Sequence, residues 1–393
     1  MRYLNGFYRV AGEIIENKVY AILQASKLKE ELEWWYYNDI IDQANFAYTP
    51  GSVGITELYR QRAQQLRDSY DYLILNYSGG SDSHNILHTF LKNDIKLDLV
   101  YVQWPESLMD KGLYKPNALN KSNANFHSEW DLVLKKDLDW LAKNKPEIKI
   151  EIGDWTKTIK EEFYTDDLFT ANVSNLPSIA RAQKQHTFSL HETNWANQGK
   201  RVASIFGVDK TNIVLRGGKW YFYFIDTAFM TQANPDNPNG VEYFYHTPNF
   251  PEITIEQAAL LKKWYDLHPE KQYLIKAKSE RMIIDPTLPN WPYQVHYAEW
   301  AETQEIFKSV CYPYWDFNRF QADKPFAVLH GLQMGVRAWD NILTTLPDFD
   351  RVQKRWAYNW KSYLKLIDQK KFMRNRDTVN SIRSRWHLIR LIK

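Results

Sequence analysis

Six consecutive residues, Ser78-Gly79-Gly80-Ser81-Asp82-Ser83, crowd two glycines, three hydroxyls and a carboxylate between an apolar run, DYLIL, and a helix-like stretch, HNILHTFL. Those types have the makings of an anion cradle. Gly79 and Gly80 admit positive φ and let a phosphate approach the backbone. Ser81, Asp82 and Ser83 open a helix, where unsatisfied N–H groups and the helix dipole favour negative charge. Ser78, Ser81 and Ser83 add side-chain donors. Asp82 is out of place beside an anion unless it caps the helix or meets Mg2+.

Other residues carry weaker signals. Arg181 and Lys184 stand three apart in NLPSIARAQKQ, on one helix face. They would clamp a phosphate or an acidic substrate, or form a solvated face. His84 and His88 stand one helical turn apart, but no Glu occupies position 85 and no third ligand is evident. Helix-surface or core histidines are the simpler reading. Cys311, the only cysteine, reads as a small buried hydrophobe; it excludes an internal disulfide and a cysteine-rich metal site.

The loop must be positioned by a scaffold. YLILNY (72–77), LDLVYVQ (97–103), IKIEI (148–152) and RVASIF (201–206) read as strands. Residues 55–70, 86–91, 128–144 and 177–199 between them carry helical patterns. This alternation predicts an α/β fold with a doubly wound, mostly parallel sheet. NIVLRGGKWYFYFID (212–226) reads as a hairpin turning at Gly217-Gly218. Residues 1–54 form a small module, with two short strands expected around a Glu16-Asn17-Lys18 turn and KLKEELEWWYYNDII helical or mixed. A nucleotide-binding domain would span 55–232. The Pro- and Asn-rich segment 233–255 reads as a loop or linker, and 256–393 as a mostly helical, aromatic-rich C-terminal region with a basic tail.

Ser78, Gly79, Gly80, Asp82 and Ser83 meet every fixed position of Ser-Gly-Gly-x-Asp-Ser. The stretch thereby resembles the phosphate loop of the N-type ATP pyrophosphatases, the PP-loop family. No Lys follows the glycines, so it is not a Walker loop. Leu87-His88 after the loop looks closest to the phosphoadenylyl-sulfate reductase and sulfate adenylyltransferase branch. The resemblance covers roughly residues 70–226. It implies a Rossmann-like PP-loop domain that binds ATP and Mg2+, holds the pyrophosphate while a substrate oxygen attacks the α-phosphate, and releases AMP and PPi. Ser78 to Ser83 would bind the phosphates, with Asp82, Ser83 and Lys210 as the catalytic set. Ligands of open α/β sheets sit outside the carboxyl ends of the strands. That rule selects Tyr101 and Val102, where the family reads adenine, and Gly207-Val208-Asp209-Lys210. There Asp209 would hold Mg2+ with Asp82, and Lys210 would reach a phosphate. Arg181 is a further phosphate candidate.

Absences narrow the expectation. One cysteine provides neither a catalytic pair nor an Fe–S cluster, and Cys311 sits in SVCYPYW rather than a reductase-like context. The chain starts MRY, without the nucleophilic Cys of the glutamine-dependent relatives. An adenylating enzyme of the ligase or nucleotidyltransferase type is therefore expected, activating a carboxylate, carbonyl or nucleobase oxygen for attack by nitrogen or sulfur. The alternatives are a phosphoadenylyl-sulfate-type enzyme, or a non-catalytic nucleotide- or nucleic-acid-binding module.

The net charge of +3 conceals an asymmetry. Residues 351–393 hold 13 Lys/Arg against two acids, giving +11, while residues 1–350 sum to −8. Trp356, Trp360, Tyr363, Phe372 and Trp386 are interleaved with those cations. The tail suits a nucleic acid, whose bases stack on rings, or docks on the acidic body. No apolar run approaches the roughly 18 residues of a membrane span, and the first residues lack a signal-peptide block, so a cytoplasmic protein is expected.

Overall fold

The structure is a computed structural model that describes residues 5–104, 130–154, 188–208, 210–226, 231, 233–276, 291–315 and 382–389. Its centre is a five-stranded, all-parallel sheet built from β4 (Tyr72–Asn76), β5 (Leu99–Trp104), β6 (Lys149–Asp154), β7 (Val202–Phe206) and β10 (Val241–Tyr243). The order across the sheet is β10-β7-β4-β5-β6. The chain thus winds outward from β4 to β6, then returns to the other side of β4 through β7. The crevice at this reversal, outside the carboxyl ends of β4 and β7, is where open parallel sheets receive ligands.

Helices cover both faces, which explains why β4 is an unbroken apolar run: Leu73, Ile74 and Leu75 are all fully buried. Leu73, Leu75, Val100, Val102, Ala203 and Ile205 face the layer that includes α3 (Ile55–Ser69) and α4 (Ser81–Lys92). Ile74, Leu99, Tyr101 and Val202 face α6 (Leu190–Asn197), whose Trp195 stacks on Tyr72 with ring centroids 4.0 Å apart. α5 (Lys135–Asn144), entered through a π-helical turn at Trp130–Leu134, joins the first layer through Leu134, Leu138 and Leu141. The α/β expectation and the strands at 72–77, 97–103, 148–152 and 201–206 hold.

Three expectations are corrected. First, Asn17 does not turn a hairpin. β1 (Phe7–Val10) and β2 (Glu13–Ile15) reverse at Ala11-Gly12, both at positive φ, a pattern suited to a two-residue hairpin. Asn17 caps α1 (Lys18–Leu28) instead, its Oδ1 accepting from Val19 N and Tyr20 N at 2.9 and 3.2 Å. Second, KLKEELEWWYYNDII divides: Leu32–Trp35 is β3, paired to β1, and α2 (Asn38–Ala47) follows. Third, 233–255, expected as a loop or linker, is loop over most of its length but does not merely link. It contains β10 and a buried run, Phe244, Tyr245, His246 and Thr247. Its Pro and Asn residues shape the turns that deliver that strand to the sheet. Of the helical expectation for 177–199, Leu190–Asn197 is α6; residues 177–187 lie outside the described residues.

The hairpin at Gly217-Gly218 forms as expected, β8 (Asn212–Arg216) with β9 (Lys219–Tyr223). β11 (His387–Leu388) then pairs with β9, closing a second antiparallel sheet. This part of the basic tail is docked, not free. Ile382, Ser384, His387 and Ile389 are buried, and Arg385 lies 3.3 Å from Asp42. Arg383 lies over the Tyr223 ring, 5.2 Å from its centroid, while the remaining tail cations and four of its five rings, Trp356, Trp360, Tyr363 and Phe372, lie outside the described residues. α7 (Glu252–Leu267) and α8 (Trp291–Cys311) are helical as expected and pack together. The N-terminal strands, the parallel sheet and the hairpin share one continuous apolar core, which includes Tyr8, Trp34, Ile205 and Phe222. Among the described residues no helix is long and apolar enough to cross a membrane.

Candidate functional site

Residues 77–80 leave the carboxyl end of β4, the central strand, and α4 starts at Ser81. Gly79 takes φ +75°, and a Cβ there would stand 2.9 Å from Leu134 Cγ. Both facts demand glycine. Gly80 holds the N-cap position, without a side chain to cap with. Ser83 ties the loop from within. Its Oγ accepts from Ser78 N at 3.2 Å and donates to Gly80 O at 3.1 Å. Ser78 Oγ in turn accepts from Gly80 N at 3.3 Å. Ser81 and Ser83 are buried while Ser78 is exposed. The loop is therefore preformed by its own hydroxyls, with the first-turn N–H groups of α4 at its base.

Asp82 is not the helix cap; its carboxylate forms an ion pair with Lys210, Oδ2 to Nζ 2.9 Å. Tyr312, just past α8, donates its hydroxyl to Oδ1 at 2.6 Å. Tyr245, just past β10, donates to the main-chain oxygen of Asp82 at 2.7 Å and accepts from Asn85 Nδ2 at 3.0 Å. The two tyrosine rings stack, centroids 5.3 Å apart. Gly207 makes the pairing possible. A Cβ there would stand 3.3 Å from the Asp82 carbonyl carbon and 3.2 Å from Ile86 Cδ1, so the segment after β7 lies directly on the first turn of α4. Thus Ser78 to Ser83 and Lys210, chosen from different stretches of sequence, meet at the strand-order reversal.

Behind the loop lies a buried polar cluster. Tyr77 donates to Asp137 Oδ2, and its hydroxyl is 3.2 Å from His84 Nδ1. His84 Nδ1 is also 3.7 Å from Asp137 Oδ2, and His84 packs on His88 with ring centroids 4.1 Å apart. The histidines are core and packing groups, as the simpler reading held. Among the described residues no group of three His, Cys, Asp or Glu is arranged to hold a metal. Both carboxylate oxygens of Asp82 are engaged, and Asp209 lies outside the described residues.

The adenine candidates separate. Val102 turns its side chain into the core toward the α3–α4 layer, which leaves only its main chain for the adenine contact expected here. Tyr101 points to the other face. There it lines a recess with Asn76, Gln103, Ser189, Glu192 and Ser204. Burial raises the carboxyl pKa of Glu192, which accepts from Ser204 Oγ at 2.9 Å and Asn237 Nδ2 at 2.8 Å. Arg181 and Lys184 lie outside the described residues. Cys311 is fully buried and its thiol pKa is pushed up by that burial, which disfavours the thiolate a nucleophile needs. Sequence reasoning missed Tyr77, Asp137, Tyr245 and Tyr312. The first two are ordinary strand-end and helix residues. Tyr245 fell in the supposed linker, and Tyr312 stands beside Cys311, which drew the attention instead.

Comparison of the chain with protein-family models, with curated proteins and with solved structures returned no match.

Proposed function

We propose that the chain is an ATP-dependent adenylating enzyme of the PP-loop type, converting ATP to AMP and PPi while activating an acceptor oxygen. One observation carries the reading: a preformed Ser-Gly-Gly-Ser-Asp-Ser loop opens a helix at the carboxyl end of the central parallel strand, and Lys210 arrives beside it from the neighbouring strand. In this reading the loop N–H groups and the hydroxyl of Ser78 bind the β- and γ-phosphates. An acceptor oxygen attacks the α-phosphorus in line. The bond from that phosphorus to the bridging oxygen breaks, and its electron pair leaves with pyrophosphate. Lys210 stabilises the growing charge on the leaving group. Ser83 acts indirectly, holding Ser78 and Gly80 in the cradle shape. The acceptor's nitrogen or sulfur partner then displaces AMP.

The test is release of AMP and PPi from ATP across a panel of carboxylates, carbonyl compounds and nucleobases. A stimulating acceptor is expected, with turnover falling by about 100-fold in Lys210→Ala, the scale of losing one transition-state donor. Turnover unchanged in both Lys210→Ala and Ser83→Ala would sink the assignment.

A further inference from the structure

An anion cradle gains nothing from a carboxylate at its mouth, yet Asp82 stands there, 2.9 Å from the cation that would serve a phosphate. The pair is open to solvent: the side chains of Lys210 and Asp82 are 19% and 30% exposed. It can therefore exchange partners without a charge being stranded in the core. Asp82 is nevertheless held firmly. Tyr312 fixes one carboxylate oxygen, Tyr245 fixes its main chain, and both tyrosines are buried. Burial, with the nearby Asp82 charge, pushes the Tyr312 phenol well above its ordinary pKa, so it stays a donor. Gly207 presses the Lys210 segment onto the same helical turn.

We infer that Asp82 is a built-in anion that competes with polyphosphate for Lys210, and that Tyr312 is the positioning residue that holds it in the competing place. The inference rests on the phosphate reading of the loop. It adds a specificity device. An anion that gains only Lys210 must displace a carboxylate already oriented against it. A pyrophosphate group, anchored also by the loop N–H groups, meets that cost with the extra contacts. Orthophosphate and sulfate are thereby disfavoured, without any wall that excludes them by size. Tyr312 belongs to the segment following α8, so this part of the C-terminal region sets the strength of the competition.

The test is calorimetric titration of inorganic pyrophosphate into the full chain and its variants at low salt. Asp82→Asn keeps the side-chain shape and removes the charge; it is expected to bind pyrophosphate about tenfold tighter, the size of a close charge pair near a protein surface. Tyr312→Phe is expected to tighten binding about threefold by loosening the carboxylate. In a Lys210→Met background, Asp82→Asn should give clearly less than its full gain, because the two residues act as one unit. An equal gain in that background would make Asp82 a general charge and overturn the inference. So would unchanged or weaker binding in both Asp82→Asn and Tyr312→Phe while the wild-type chain binds, which leaves the cradle reading standing. Absence of pyrophosphate binding in every chain overturns both. Should Asp82→Asn lose its fold, judged by near-ultraviolet circular dichroism, Tyr312→Phe decides alone.

Discussion

Two lysine–aspartate pairs in this molecule share a design and differ in setting. Lys210–Asp82 has a tyrosine donating to the carboxylate, and so does Lys18–Asp226, where Tyr8 donates to Oδ2 at 2.8 Å. Lys18 Nζ lies 2.7 Å from the same oxygen, a charge contact outside hydrogen-bond alignment. Ile382 N donates to Oδ1 at 2.9 Å. The side chains of Lys18 and Asp226 are 1% and 0% exposed, against 19% and 30% at the loop. The same chemical group is thus a fixed joint where water is excluded and an exchangeable contact where water reaches. Burial, not residue type, separates the two pairs.

The difference can be broken experimentally. Asp226→Ala should be the most damaging change, costing about 3–5 kcal/mol by urea unfolding, because it strands Lys18 in the core. Converting Lys18 to Met and Asp226 to Leu together should recover much of that loss; no recovery would mean that charge burial is not the cause. Ser83→Ala should come next, at about 1–3 kcal/mol, since it leaves Ser78 N–H without its acceptor. It should also weaken pyrophosphate binding, whereas the Asp226 change should act through stability alone.

A pH series probes the buried region separately. His246 is wholly buried, stacked on Phe224 with Nδ1 3.0 Å from Thr254 Oγ1, and burial holds its pKa well below the ordinary value. The unfolded chain therefore takes up the proton first on acidification. Its contribution is intact above about pH 6.5 and declines below that, by up to about 1.4 kcal/mol per pH unit until the folded-state value is reached. Stability against pH should show this slope in wild type and lose it in His246→Phe; a slope that survives the substitution belongs to another group. The smallest stability change is expected for Asp82→Asn, within about 1 kcal/mol, because the pair with Lys210 is partly exposed and the amide oxygen can still accept from Tyr312. A loss comparable to that of Asp226→Ala would erase the distinction between the two pairs.

Much of the scaffold was legible because its cause is local. The apolar run of β4 followed by Gly79-Gly80 and the stripe of α4 announces strand, turn and helix in order. Asn17 was misread because a residue able to turn a chain is also able to cap a helix, and the choice depends on α1 packing below it. The 233–255 segment was misread because its Pro and Asn residues dominate the composition, while β10 is only three residues long and gains its pairing from β7. The loop was read down to its residue types. The partners of Asp82 were not, apart from the general placing of Lys210. Tyr312 and Tyr245 reach it across 230 and 163 positions, and contacts of that span leave no periodic mark on a sequence.

The joint at Asp226 also orders events during synthesis. Tyr8 and Lys18 have left the ribosome before Asp226 appears, whereas Ile382 follows it by 156 positions. For that interval one carboxylate oxygen lacks its amide and the outer edge of β9 lacks β11. The nascent chain therefore carries a bare strand edge beside a half-satisfied charge, the combination that invites premature pairing with a second chain. Residues 382–389 supply both the amide that completes the charge site and the strand that covers the edge.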